Sequence, residues 1–100
     1  MDITVQELKQ KLDAKEHFIF IDVREPNEYE AFNLGAELIP LGTIPDAVEK
    51  LKEHKNDEIV VHCRSGARSA GAQSFLQSQG FMNVRNLTGG GLAWAEAFGE

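Results

Sequence analysis

Apolar residues along this chain fall into short blocks whose spacing alternates between two periods. Val5, Leu8 and Leu12 recur at helical spacing and predict an amphipathic helix over residues 5–14. Thr4 and Glu7 stand at the positions of a capping box, and Ile3 and Leu8 at those of a hydrophobic staple. Phe18-Ile19-Phe20-Ile21 is continuously apolar and β-prone, as expected of a strand covered on both faces. Pro26 opens a short helix that takes in Tyr29 and Phe32. Residues 36–41 predict a strand closed by Pro40 and Gly42, and Pro45 starts a helix with Ala47, Val48 and Leu51 inward. Asn56-Asp57 ends the turn after that helix, and Ile59-Val60-Val61-His62 is the next strand. Residues 67–79 read as a helix with Ala72, Phe75 and Leu76 inward and Gly80 as its left-handed stop. A last strand over 84–87, a turn at Gly89-Gly90-Gly91 and a helix over 92–98 complete the chain.

Strands that alternate with helices predict an α/β fold with a mainly parallel sheet covered on both faces. In such folds ligands sit at the carboxyl ends of the strands. Asp22 and Cys63 each directly follow a predicted strand, so both belong to that edge.

One hundred residues make one domain, assigned to residues 1–100, with a single core. The net charge of −6 disfavours nucleic acid as a partner. The longest apolar run near the N-terminus, Phe18 to Ile21, is far shorter than a membrane span. Residues 1–16 are charged where a signal peptide would be apolar. A single cysteine excludes an internal disulfide and a paired-cysteine zinc site, so a reducing cytoplasm is the expected location. No cluster of histidines and carboxylates has metal-ligand spacing, no cofactor is implied, and a monomer is expected.

The chemistry concentrates at Cys63. A strand delivers this thiol into the loop Arg64-Ser65-Gly66-Ala67-Arg68-Ser69, and a helix follows at once. Residues 64–68 supply five backbone N–H groups, Gly66 permits the tight curvature that turns them inward, and the helix adds its positive end. These features and the flanking Arg64 and Arg68 favour the thiolate, which is the nucleophile. Two arginines suit an anionic donor, and Ser65 and Ser69 offer hydroxyl donors, although Ser69 is also placed to bond back to its own helix. His62 points to the opposite side of the strand from Cys63, so it reads as a packed or partly exposed histidine and not as a base. His17 and His54 lie in charged surroundings and read as surface residues, and Trp94 as packing of the last helix.

The run Cys63-Arg64-Ser65-Gly66-Ala67-Arg68-Ser69 resembles the active loop of the rhodanese family. Asp22-Val23-Arg24-Glu25-Pro26 with Glu28-Tyr29-Glu30 is similar to that family's first signature, and Gly89-Gly90-Gly91 with Trp94 to its last. The resemblance implies a three-layer α/β/α sandwich around a five-stranded sheet. It also implies a sulfurtransferase in which Cys63 carries a persulfide between thiosulfate, or a related donor, and cyanide, a small thiol or a protein acceptor. It casts Asp22 as a support for the loop and its arginines, placed on Arg68 or the loop backbone, and Arg24 as a substrate-binding residue at the pocket entrance or in contact with the donor. One departure is the stretch Asn33-Leu34-Gly35-Ala36, where many members carry Gly-His-Ile-Pro-Gly-Ala. Two rival readings accompany this one. A cysteine phosphatase or arsenate reductase on the same fold places five residues between cysteine and arginine, whereas four separate Cys63 from Arg68. A protein-binding or sulfur-carrier module is the other.

Overall fold

The computed structural model describes residues 1–99. Four parallel strands form the sheet: β1 (Ile19–Asp22), β2 (Glu37–Leu38), β3 (Ile59–His62) and β4 (Val84–Asn86), in the order β2-β1-β3-β4. Five helices alternate with them: α1 (Val5–Asp13), α2 (Pro26–Ala31), α3 (Ile44–Leu51), α4 (Ala67–Ser78) and α5 (Gly90–Phe98). The architecture is the α/β class expected from the alternation.

The sheet has four strands, not five. Ile3 occupies the outer position beside β4, but only as a single parallel bridge to Leu87. Its N–H donates to the Asn86 carbonyl, and its own carbonyl accepts from Thr88. Thr4 caps α1 immediately afterwards by accepting the Glu7 N–H, so the chain leaves the sheet after one residue. The strand expected over 36–41 is also shorter. The Tyr29 hydroxyl donates to the Ala36 carbonyl at 2.6 Å, and a 3₁₀ turn takes over at Leu41–Thr43. Phe32, expected in α2, is instead its extended C-cap. The last helix begins two residues before the expected 92, so the triple glycine is a helix start and not a separate turn.

Alternation along the strands divides the core into two layers. Ile21, Ile59, Val61 and Val84 face α3 and α4 and pack with Ala47, Leu51, Ala72 and Leu76. Val60 faces the other way, against Ile3, Val5 and Leu8, with Phe20, Ala93 and Trp94 partly buried around them. Trp94 stacks edge-on against Phe98 at 4.8 Å between ring centroids, which accounts for its place in the sequence. Covering both faces puts the carboxyl ends of β1 and β3 at one edge, with Asp22 paired in register to His62. Cys63 comes next.

Candidate active site

Cys63 lies on the α3/α4 side of the sheet and is fully buried. Its Sγ accepts the Gly66 N–H at 3.1 Å and the Ser69 N–H at 3.4 Å, and it lies 3.3 Å from the Ser69 hydroxyl. Gly66 turns the chain into α4 with φ +100°, a left-handed conformation that L side chains rarely adopt. Burial pushes the Cys63 thiol up, but hydrogen bonds from the Ser69 hydroxyl and from the N–H groups of Ser69, Gly66 and Ser65 outweigh it. The net shift is downward. Ser69 therefore faces the sulfur and does not bond back to its helix.

Asn86 is part of this assembly, although the sequence reading passed over it. Its Nδ2 donates to the Gly66 carbonyl at 3.0 Å, which turns Oδ1 toward the Ser69 hydroxyl at 2.6 Å. The hydroxyl has one proton and two acceptors in reach, Asn86 Oδ1 and Cys63 Sγ. The available signal was an asparagine sharing the inward strand face with Val84, where a buried amide needs partners.

The triple glycine clamps the other end of the loop. Gly91 N–H donates to the Cys63 carbonyl and Leu92 N–H to the Arg64 carbonyl, both at 2.9 Å. A Cβ on Gly90 would lie 2.5 Å from the Cys63 oxygen and 2.6 Å from the Arg64 oxygen. Only glycine lets the α5 N-terminus approach this closely, and its φ of +59° adds to that requirement.

The carboxylates divide the arginines differently from the expectation. Asp22, fully buried, accepts the Arg24 N–H at 2.9 Å and the Arg24 guanidinium at 2.7–3.0 Å. Arg24 also donates to the Phe32 carbonyl at 2.7 Å. Arg68 is instead gripped by Glu28 through both carboxylate oxygens, at 2.8 and 2.9 Å. The placement of Asp22 on Arg68 or the loop backbone is thus corrected: a two-residue separation lets Asp22 and Arg24 close a local pair first. Arg64 is exposed and has no carboxylate within ion-pair distance among the described residues.

His62 sits on the opposite side, 5.2 Å from the Phe20 ring, and is only 1 % exposed. Neither ring nitrogen has a hydrogen-bond partner among the described residues, and Nε2 is 3.5 Å from an Asp22 oxygen. Burial pushes the imidazole below its ordinary value against the pull of Asp22, so it is neutral and takes no part at the sulfur. Ser65 in the loop and Ala67 at the first position of α4 are exposed. Arg24, Glu28, Phe32, Arg64 and Leu92 line a groove of about 240 Å³ beside the loop. A larger depression of about 440 Å³, around Gln6, Thr88 and Glu96, includes no residue of the loop.

The rhodanese-like domain model matches residues 4–97. The chain belongs to the rhodanese-like family. Bacillus subtilis YtwF, provisionally named a sulfurtransferase, is 42% identical over 94 residues, covering 93% of this chain and 88% of that protein. Bacillus subtilis YrkF, provisionally named a sulfur carrier, is 39% identical over 93% of this chain, which spans only 50% of YrkF. The thiosulfate sulfurtransferase GlpE of Pseudoalteromonas translucida is 32% identical, covering 98% of this chain and 91% of GlpE. A rhodanese-like domain protein from Staphylococcus aureus superposes with a TM-score of 0.83 at 35% identity, covering 94% of this chain and 91% of that one. A Rhodopseudomonas palustris structure described as a possible tyrosine phosphatase has a TM-score of 0.87, covering 99% and 82% of the two chains. At 23% identity that likeness shows the rhodanese-like fold alone. Among the described residues no helix is long and apolar enough to cross a membrane, and no three histidine, cysteine or acidic side chains gather as metal ligands.

Proposed function

We propose that this rhodanese-like domain is a sulfurtransferase that carries sulfane sulfur on Cys63 in a reducing cytoplasm. The observation that carries this reading is the pair of N–H donors from Gly66 and Ser69 directed at one sulfur atom, with the Ser69 hydroxyl also in reach of it. Such donors stabilise a thiolate and leave it no proton to lose before attack. The Cys63 thiolate attacks the outer sulfur of thiosulfate, the sulfur–sulfur bond of the donor breaks, and sulfite departs with its electron pair. Cys63 then holds a persulfide. An acceptor thiolate or cyanide attacks the outer sulfur, the new bond forms, and the Cys63 thiolate is released.

Arg64, Ser65, Gly66, Ala67, Arg68 and Ser69 surround the donor in this reading, with Arg24 at the entrance, and Asp22 acts through Arg24. Four residues between Cys63 and Arg68 close the loop around a single sulfur atom in preference to a phosphoryl group. A phosphoryl group held too far from the thiolate loses near-attack placement, worth about 7–11 kcal/mol. The thiosulfate sulfurtransferase name of one relative favours the donor, and the sulfur-carrier name of another favours a relay to a protein acceptor. The test is intact mass after incubation with thiosulfate. A gain of about 32 Da that cyanide reverses, and that Cys63→Ser abolishes, is the expected result. Sulfur transfer by a folded Cys63→Ser protein would refute the reading.

A further inference from the structure

Asp22, His62, Ser69 and Asn86 are the buried polar side chains among the described residues. Asp22 holds Arg24, and His62 has no hydrogen-bond partner there. Ser69 and Asn86 hold each other beside the sulfur. The Asn86 backbone is fixed by the sheet, in register with Val61 of β3, and its carbonyl accepts the Ile3 N–H at 3.0 Å.

The Asn86 side chain can stand only one way round. Nδ2 donates to the Gly66 carbonyl at 3.0 Å, and an exchanged amide would set two oxygens against each other. Oδ1 is therefore the acceptor that faces the Ser69 hydroxyl at 2.6 Å. That hydroxyl also lies 3.3 Å from Cys63 Sγ and has one proton to give. Charge at the sulfur decides where it points. A thiolate draws a charge-assisted bond, roughly twice as strong as one between neutral groups. A sulfur already bonded to a proton or to a second sulfur is a weak acceptor, and the amide oxygen then wins.

We infer that Asn86 is a positioning residue that accepts the Ser69 hydroxyl while Cys63 is a thiol or persulfide and yields it to the sulfur when Cys63 is a thiolate. The persulfide half of this rests on the sulfurtransferase reading. When the Cys63 thiolate attacks thiosulfate, its electron pair enters the new sulfur–sulfur bond and sulfite leaves with the pair of the broken one. The Ser69 O–H then turns from Sγ to Oδ1, with no bond to hydrogen broken. When an acceptor thiolate takes the outer sulfur, the electron pair of the Cys63–sulfur bond returns to Sγ and the hydroxyl turns back. Asn86 thus stabilises thiol and persulfide, relative to the thiolate, by the same hydrogen bond. Its loss should favour the thiolate over both by the same factor.

Asn86→Leu keeps a branched side chain and removes both polar atoms. The midpoint of Cys63 alkylation against pH, measured without a sulfur donor, should fall by about half a pH unit, the scale of one net hydrogen bond. The thiosulfate-to-sulfite ratio at which half the chains gain about 32 Da should rise about threefold, the same factor. In a Ser69→Ala background the added Asn86→Leu should move neither readout, because the two residues act as a unit. An equal shift in that background would mean that Asn86 acts through the Gly66 carbonyl, and would overturn the inference. A fall in the midpoint with unchanged loading would give the hydroxyl to the outer sulfur and overturn it as well. The unmutated amide supplies a check that needs no Asn86 variant. Above the alkylation midpoint, the Asn86 side-chain carbonyl resonance should move when thiosulfate is added, and stay in place in Ser69→Ala. A resonance unmoved in the wild type, with the mass gained, refutes the part assigned to Asn86 alone. A wild type that gains no mass refutes the sulfurtransferase reading and the persulfide half with it.

Discussion

Glu28 and Arg68 form a two-pronged ion pair across 40 residues of sequence, with both carboxylate oxygens engaged. The same Glu28 accepts the Glu25 N–H at 3.0 Å as half of the α2 capping box. A helix start is thereby tied to the reactive loop, and the arginine expected to meet an anionic donor already holds a carboxylate.

Glu28→Gln should therefore release Arg68 while keeping an acceptor for the capping box. The KM for thiosulfate should fall about threefold, a modest change because the pair is partly exposed, and inhibition by sulfate should strengthen. An unchanged KM would mean that Arg68 does not meet the donor. Acid is a poor substitute for this mutation, because hydrogen bonding to Arg68 lowers the Glu28 carboxyl to about 2. A lowered carboxyl stabilises the fold above its unfolded value, near 4.3, and that stability is lost as pH falls toward 2. Arg68 should thus stay paired at pH 4.

Alkylation of Cys63 should titrate below the 9.0 of an ordinary thiol, since its hydrogen-bond donors outweigh burial. Ser69→Ala removes the donor that does most to lower it, so the midpoint of alkylation rate against pH should rise. An unmoved midpoint would assign the Ser69 proton to Asn86 in both ionisation states.

Gly90→Ala should be the most damaging single-methyl change near the site. The added carbon meets two backbone oxygens at 2.5 and 2.6 Å, and the residue must keep φ +59°. A loss of about 1–3 kcal/mol is expected, with slower alkylation of Cys63 because the loop must shift. Gly91→Ala is the internal comparison. Its added carbon would find its nearest neighbour at 3.8 Å, so thermal unfolding should occur near or above the wild-type temperature.

His62 should make the fold acid-sensitive. Its folded value is lowered, chiefly by burial, while Asp22 pulls it up and Arg24 pushes it down. The unfolded chain then binds the proton more readily, so stability falls as pH drops below about 6.5. His62→Phe replaces two unpartnered buried nitrogens by a ring beside Phe20 and should flatten that dependence. Denaturant unfolding between pH 7 and 5 checks this, and an equally steep loss in the variant would place the sensitivity elsewhere.

Much of the fold was legible in the chain because its signals are short-range. The apolar run over 59–62 coincides with β3, Gly80 ends α4 in a left-handed turn, and Thr4 caps α1, as periodicity and capping chemistry predict. Cys63 and Gly66 were legible for the same reason, since strand, loop and helix follow one another without a break. Tertiary structure decided what lies between distant segments. Tyr29 takes the Ala36 carbonyl and helps to shorten β2, and the early start of α1 reduces a fifth strand to one bridge at Ile3. Asn86 reaches Ser69 across 17 residues and Gly66 across 20, and Gly90 admits α5 against the Cys63 carbonyl. Local patterning determines which residues turn, cap and alternate, because neighbours impose it wherever the chain lies. Which carboxylate meets which arginine depends on distances that exist only after strand order and helix packing have closed the fold.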